Sequence, residues 1–377
     1  MELNPENIPD YLRKRQGVLD VFTVDAEIIA EEIGDGNLNF VFRVSDANEP
    51  SNSIILKQAP PYIKILGPDF ELTPDRLTYE SRALAIYNQL APAYAPYQRY
   101  FDPENYVIAM EDLRGYRILR SDLIEGVINL RVPEQIARFM AIIHSRTHIR
   151  NLSPEAAQNY ASRFRNRVMQ RITADYVFTK PYMDDPTNFY TEGLQPYVTA
   201  LKSDGQLLVQ IEDFKRIFCN AEQGLTHGDL HTGSVMVLDD SAKVIDAEFV
   251  FYGPVGFDLG LFWANYLFAY CAHVGNDAAR VQLKDAIFRT WETYAATFEM
   301  DDAALKTEIL NQIFDESIGF AGVEMMRRVI GAAHVADIEG ISDIEKKLLV
   351  EATALEFGRK LVKNHDDIRT VSDLIME

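Results

Sequence analysis

The sequence predicts an α+β chain of two lobes: a small β-rich N-terminal lobe (1–113) and a larger, mainly helical C-terminal lobe (114–377). Three observations predict it. Short runs rich in Ile, Val and Phe are confined to the first third, helical spacing dominates from about Val132 onward, and only one strand-like island, Ser234–Tyr252, interrupts the helices. Strands and helices segregated in this way indicate separate layers, with a ligand-binding cleft expected between the lobes.

In chain order, Glu27–Ile33, Phe40–Val44 and Ser53–Lys57 read as strands, each bounded by Gly, Asn or Pro clusters. Ala59–Pro74 is a loop. Arg76–Leu90 places Leu77, Leu84, Ile86, Tyr87 and Leu90 at helical spacing. Tyr106–Met110 is a further strand running into the polar connector Glu111-Asp112-Leu113. Helices follow at Pro133–His148, Glu155–Ala174, Leu207–Asn220, Leu259–Ala272, Val281–Phe298, Leu305–Asp337 (more than one helix) and Ile344–Asn364.

Composition narrows the function classes. With 47% hydrophobic and 25% charged residues, the 377-residue chain has globular proportions, which excludes wholesale disorder. Its 37 Lys and Arg against 57 Asp and Glu give a formal charge of −20. Such a surface repels phosphate backbones and anionic lipids, so neither nucleic acid nor membrane is an expected partner. Two cysteines, Cys219 and Cys271, cannot build a disulfide framework or a Cys-rich zinc site. The N-terminus is acidic rather than signal-like, and Leu259–Ala272 is too short to span a bilayer. A soluble cytoplasmic protein is expected.

The most informative segment is His227-Gly228-Asp229-Leu230-His231-Thr232-Gly233-Ser234, followed by Lys243-Val244-Ile245-Asp246-Ala247-Glu248. A hairpin here would bring Asp229 near Asp246 and Glu248. One carboxylate could then accept a hydroxyl proton while the others hold a divalent cation. On a regular strand Asp246 and Glu248 would share one face. Magnesium suits such a site, as a hard ion that takes one or two carboxylates plus phosphate oxygens. The bland alternative makes Asp229 a turn residue and His227 and His231 structural.

Glu32–Val44 has the strand, tight turn, strand pattern of a glycine-rich phosphate-covering loop, although Asp35-Gly36-Asn37 also suits an ordinary hairpin. Lys57 ends an apolar strand, where it can project inward to neutralise phosphates, and Glu80 follows in the next helix, placed to pair with it. Backbone groups at Glu111–Leu113 can meet the edge of a purine, or simply link the lobes. Arg327 and Arg328 sit in the apolar helical run Ile318–Ala333. Adjacent helical residues diverge by about 100°, so at least one arginine points inward and needs an anion. A phosphoryl group would serve, and so would an ion pair with Glu324.

Glycine loop, strand Lys, helix Glu, connector, catalytic Asp and metal-binding Asp stand in the order of the protein-kinase-like fold, and the chain resembles its small-molecule branch, with the aminoglycoside and choline phosphotransferases. Within that branch Gly34–Asn39, His227–Ser234, Val244–Phe249 with Phe251–Asp258, and Arg327-Arg328 with Ala333–Glu339 resemble the S-methyl-5-thioribose kinase family. The resemblance runs from about residue 30 to 340. Asp246-Ala247-Glu248 replaces Asp-Phe-Gly, Ser234 stands where the template has Asn, and Ala247 stands where Pro is expected. The resemblance implies ATP and Mg²⁺ as cofactors, a small sugar as substrate and a homodimer. It makes lobe 1–113 nucleotide-binding and lobe 114–377 catalytic and substrate-binding. Asp229 is implied as the base on the sugar 1-hydroxyl, itself touching the substrate. Asn39, Lys57, Glu111, Asp112, Leu113, Asp246, Ala247 and Glu248 are implied to bind the nucleotide, Asp246 and Glu248 through magnesium. Arg327 and Arg328 are implied contacts to the sugar and the transferred phosphoryl. Rival readings are a kinase for another small alcohol, such as 5-deoxyribose, choline or an aminoglycoside, and a nucleotide-binding pseudokinase. The arginine pair argues against cationic acceptors. Tyr252, Phe257 and Trp263 are candidates for a methylthio pocket only as aromatic residues near the metal motif, a position in which aromatic side chains are more often core.

Overall fold

The computed structural model describes residues 1–15, 19, 21–34 and 38–375, so Asp35, Gly36 and Asn37 of the glycine-rich loop lie outside the described residues. Two compact units result: Met1–Gly115 with Ile245–Phe249, and Tyr116–Val244 with Val250–Glu377. A boundary at one chain position, after residue 113, therefore omits the five residues Ile245–Phe249, which join the first unit through the side-chain contacts described below.

The first unit is built on a five-stranded antiparallel sheet of strands β1 (Ile28–Glu32), β2 (Phe40–Asp46), β3 (Ser53–Gln58), β4 (Gln98–Asp102) and β5 (Val107–Glu111), in the order β1-β2-β3-β5-β4. Register fixes which side chains share a face: Phe42 lies opposite Leu56, and Val41 opposite Lys57. Phe42, Val44, Ile54, Leu56, Val107 and Ala109 form a core with Leu3, Ile8, Tyr11 and Leu12. Each large apolar side chain so buried contributes about 1.5–3 kcal/mol relative to exposure. Because side chains alternate along a strand, Lys57 leaves β3 on the face opposite Leu56, where the Arg76–Leu90 helix supplies Glu80. The N-terminal helix Ile8–Arg13 and strand β4 escape sequence reading: one spans six residues, the other is polar and has a register shift between Gln98 and Tyr100.

In the second unit, strands β6 (Arg117–Ile118), β8 (Val235–Leu238) and β9 (Ser241–Val244) form a small sheet in the order β6-β8-β9, and β7 (Gly224–Thr226) pairs with β10 (Phe251–Gly253). Helices make up most of the rest. Gly256–Ala272 is buried almost throughout, and so is Ala303–Ile330 from Glu316 onward. Their close approach depends on Gly260, where an added Cβ would lie 2.7 Å from the Ser317 carbonyl oxygen. Gly322 and Gly358 give the Ile344–Asn364 helix the same access, each placing a Cβ within 2.7 Å of the other's carbonyl oxygen. Phe178, Phe218, Phe257 and Phe320 fill the centre with ring centroids 4.8–6.3 Å apart.

The helix expected over Glu155–Ala174 is two, Pro154–Arg163 and Arg167–Phe178. Tertiary contacts break it: the Asn166 amide donates to the Val250 carbonyl at 3.1 Å, and the Phe164 carbonyl accepts from the Tyr252 backbone N–H. Among the described residues no helix is long and apolar enough to cross a membrane.

Candidate active site

The first unit gathers a lysine, an arginine and three carboxylates. Lys57 Nζ donates to both Glu80 oxygens at 2.9 and 2.7 Å and pairs with Asp246. Burial acts against its charge, but the Asp246 and Glu80 carboxylates outweigh that and hold the ammonium protonated. Asp246 adopts left-handed backbone, φ +70°, and Ala247–Phe249 form a 3₁₀ turn. Asp246 and Glu248 are therefore not on a strand, which corrects the shared-face expectation. A tight turn, not the pleat, sets where each carboxylate points.

Glu248 is buried. It accepts from the Asn39 amide at 2.9 Å and lies 3.2 Å from Arg76 Nε, which in turn donates to Asn39 Oδ1 at 3.1 Å. Arg76 is itself fully buried, with further bonds to the carbonyls of Leu72, Thr73 and Leu38. Sequence reading missed this residue. Its signal was an arginine at the first position of a helix, where the dipole disfavours a cation. Burial and the adjacent Asp246 carboxylate raise the Glu248 pKa, with Lys57 opposing. A divalent cation relieves that repulsion, so the donor set of hard carboxylate oxygens fits magnesium. Ala247 is buried within the same turn.

The connector behaves differently. Asp112 is taken by Arg43 Nε at 2.8 Å and Ser53 Oγ at 2.7 Å, and Glu111 accepts the Tyr97 backbone N–H at 3.0 Å. Both side chains thus secure the strands around them. Any ligand contact at Glu111–Leu113 falls to the backbone.

In the second unit the His-Gly-Asp loop is held by a carboxylate that sequence reading assigned no role. Asp258, in the first turn of the Gly256–Ala272 helix, accepts the backbone N–H groups of His227 at 2.6 Å and Gly228 at 2.9 Å. It also meets His144 Nε2 at 3.2 Å. A lone carboxylate in an otherwise apolar helix must find such partners, and that was the available signal. Gly228 is left-handed, φ +83°, a conformation glycine adopts without penalty. The Ser234 hydroxyl donates to the Asp229 carbonyl at 3.1 Å, so serine here braces the loop.

Asp229 is only partly buried, and one of its oxygens lies 3.9 Å from Arg328 Nη2. Burial raises its pKa, and the Arg328 and Arg327 guanidiniums oppose that. His231 Nε2 stands 3.5 Å from the other oxygen. Both arginines are buried, and both bind Glu324: Arg327 Nε at 2.6 Å and Nη2 at 2.9 Å, Arg328 Nε at 2.7 Å. Burial acts against the Glu324 charge, but the two guanidiniums hold the carboxyl down to about 2. The ion pair with Glu324 is thus real, and it coexists with an Arg328 that faces Asp229.

Comparison with known proteins follows the same lines. Residues 29–296 match the phosphotransferase enzyme family. The chain is 38% identical over 355 residues to the methylthioribose kinase of Geobacillus kaustophilus, covering 91% of this chain and 89% of that one. It is 37% identical to the Yersinia enterocolitica methylthioribose kinase, covering 93% and 92%. The chain belongs to the methylthioribose kinase family. It is a kinase, a transferase of the phosphotransferase type. Among solved structures, the ethanolamine kinase of Plasmodium vivax superposes with a TM-score of 0.51 at 14% identity, covering 94% of this chain and 89% of that one. The choline kinase of Cryptosporidium parvum gives 0.50 at 16%, covering 97% and 95%. These establish the protein-kinase-like fold of the family, small antiparallel sheet and mainly helical remainder included.

Within each unit the sequence-predicted residues do meet: Asn39, Lys57, Asp246, Ala247 and Glu248 in the first, Asp229, Arg327 and Arg328 in the second. Tyr252, Phe257 and Trp263 do not belong with them. Phe257 lies in the phenylalanine cluster, Trp263 packs on Trp291 and Phe314, and the Tyr252 hydroxyl is spent on the Thr147 carbonyl at 2.9 Å. All three are core residues.

Proposed function

We propose that this chain transfers the γ-phosphoryl group of ATP to the 1-hydroxyl of S-methyl-5-thioribose, in methionine salvage. The observation that carries the reading is Asp229, a carboxylate on a clamped loop facing a buried arginine at 3.9 Å, in a chain 35–38% identical to methylthioribose kinases. The unit Met1–Gly115 with Ile245–Phe249 is the nucleotide-binding lobe, and the other unit is the catalytic and sugar-binding lobe.

Each residue then has a task. Asp229 accepts the hydroxyl proton and orients the oxygen for attack. Its raised pKa favours that acceptance, and the Asp258 clamp keeps the loop from drifting. Arg328, the arginine nearer Asp229, places positive charge where the phosphoryl group arrives, and Arg327 holds Glu324 so that Arg328 keeps its orientation. Lys57, fixed by Glu80, neutralises nucleotide phosphates, Asn39 assists it, and the Glu111–Leu113 backbone receives adenine. Asp246 and Glu248 are the residues that would hold Mg²⁺, which supplies charge neutralisation on the phosphate oxygens when bound. The same reading includes a homodimer acting in the cytoplasm.

Magnesium-dependent ADP release, measured with methylthioribose, 5-deoxyribose, choline and kanamycin as separate acceptors, tests this. Strong turnover with methylthioribose alone is expected. Turnover only with an amine would overturn the substrate, and ATP binding without turnover on any acceptor would overturn the activity.

A further inference from the structure

Asp337, in the short helix Ala336–Glu339, is 4% exposed. Neither of its carboxylate oxygens receives a hydrogen bond from another residue among those described. A buried carboxylate in that condition costs several kcal/mol unless something donates to it. The nearest cation is Arg120, whose Nε lies 3.4 Å away. Its guanidinium is already turned to other acceptors, Thr232 Oγ1 at 3.3 Å and Asn265 Oδ1 at 2.9 Å. Those bonds keep Arg120 close enough to balance the charge of Asp337 but misaligned for bonding it.

The surroundings connect this orphan to the base. Thr232 belongs to the His227–Ser234 loop, and a Cβ at Gly233 would come within 3.1 Å of Arg120 Nη1. Arg328, 3.9 Å from Asp229, also lies within electrostatic range of Asp337, and Arg120 within range of Asp229. Asp337 also lines a recess of about 300 Å³ with Leu123, Ala269, His273, Ile341 and Lys346, while both its carboxylate oxygens are turned away from solvent. A metal ion is a poor candidate for the missing partner, because two guanidiniums face the same carboxylate. A neutral donor is required. Of the acceptors considered above, a polyol has several.

We propose that Asp337, charge-balanced by Arg120, is a sugar-binding residue that accepts hydrogen bonds from acceptor hydroxyls other than the one phosphorylated. This rests on the kinase reading above. It adds the recognition element that holds the ring while Asp229 engages a single oxygen. Arg120 is a positioning residue: it fixes the Thr232 loop, and its charge opposes the burial that pushes the Asp337 carboxyl up in pKa.

The test is steady-state kinetics of Asp337→Asn with whichever sugar the wild-type enzyme accepts, alongside the 2-deoxy and 3-deoxy forms of that sugar. Expected is a sugar kcat/KM lowered roughly 10–100-fold, as for a lost bond to a charged group, with KM for ATP unchanged. Against the deoxy form lacking the contacted hydroxyl, the penalty should shrink to less than about threefold. A penalty equal for all three sugars, or shared with ATP, would reduce Asp337 to a counter-ion of Arg120 and overturn the proposal. So would no penalty at all, with water as the hidden donor. Circular dichroism melts verify folding. If Asp337→Asn does not fold, Asp337→Glu keeps the charge and displaces the oxygens, and the same selectivity for the sugar is expected. Failure of wild-type enzyme to use methylthioribose would instead strike the substrate reading and leave this test to be run on the accepted sugar.

Discussion

The two polar clusters of this chain solve the problem of buried charge in opposite ways. In the first unit Lys57 and Arg76 meet three carboxylates, Glu80, Asp246 and Glu248, so negative charge is in excess and Glu248 is pushed up in pKa. In the second unit Arg120, Arg327 and Arg328 face Asp229, Glu324 and Asp337, and the signs balance. An excess of carboxylate oxygen is what a hard divalent cation needs. A balanced set imposes no net charge on its ligand, so it suits a neutral polyol and penalises a cationic amine by denying it an unpaired anion. The difference teaches that ligand class is written in the local charge ledger, not in the −20 carried by the whole chain.

Four substitutions break or sharpen that comparison. The largest effect is expected at Asp229: Asp229→Asn should lower kcat by roughly 10²–10⁴-fold with KM for ATP little changed, because the loss belongs to the second cluster alone. A comparable loss of ATP binding would contradict the division of labour. Next is Glu324→Gln, which leaves two buried guanidiniums short of a counter-charge and should cost about 3–5 kcal/mol of stability, read by denaturant unfolding. The pH dependence follows from its depressed pKa. With the folded carboxyl near 2 and the ordinary value 4.5, its contribution is complete above about pH 5 and is lost as pH falls toward 2. Melts of wild type against Glu324→Gln over that range should converge as the pH drops. Parallel curves would show that the triad is not the source.

Glu248→Gln probes the other cluster. It removes one of two carboxylates and should raise the magnesium concentration for half-maximal rate at least roughly tenfold, leaving KM for the sugar alone. An unchanged magnesium requirement would take Glu248 out of the metal site. The smallest effect is expected for Tyr252→Phe, which deletes one buried hydrogen bond to Thr147 and should cost about 1 kcal/mol with kinetics unaltered. A sugar-selective change in KM there would restore the aromatic residue to the site.

Much of this was legible before any coordinates. The pairing of Lys57 with Glu80 follows from residue type and spacing, whereas the turn that aims Asp246 and Glu248 does not. The helix Arg76–Leu90 is found at the limits its periodicity gives. Arg76 at its start was not legible as a functional residue: its partners Asn39 and Glu248 are remote in sequence, and no local pattern encodes them. Asp258, Arg120 and Asp337 escaped for the same reason. The aromatic residues near Asp246 are core, the commoner of the two readings open to them, since proximity in sequence says nothing of which face a side chain takes.

What the sequence determined by itself is therefore local: the strand and helix periods, the acidic motifs, and the family to which they belong. Tertiary structure alone decided the rest. It split Glu155–Ala174 in two by offering Asn166 a distant carbonyl. It gave both arginines of Arg327-Arg328 to one glutamate, and among the described residues it left Asp337 buried with no hydrogen bond from another residue. The physical reason is common to the first two. A buried polar group must be satisfied by whatever the fold brings to it, and that partner is chosen by packing across the whole chain, beyond the reach of any spacing rule.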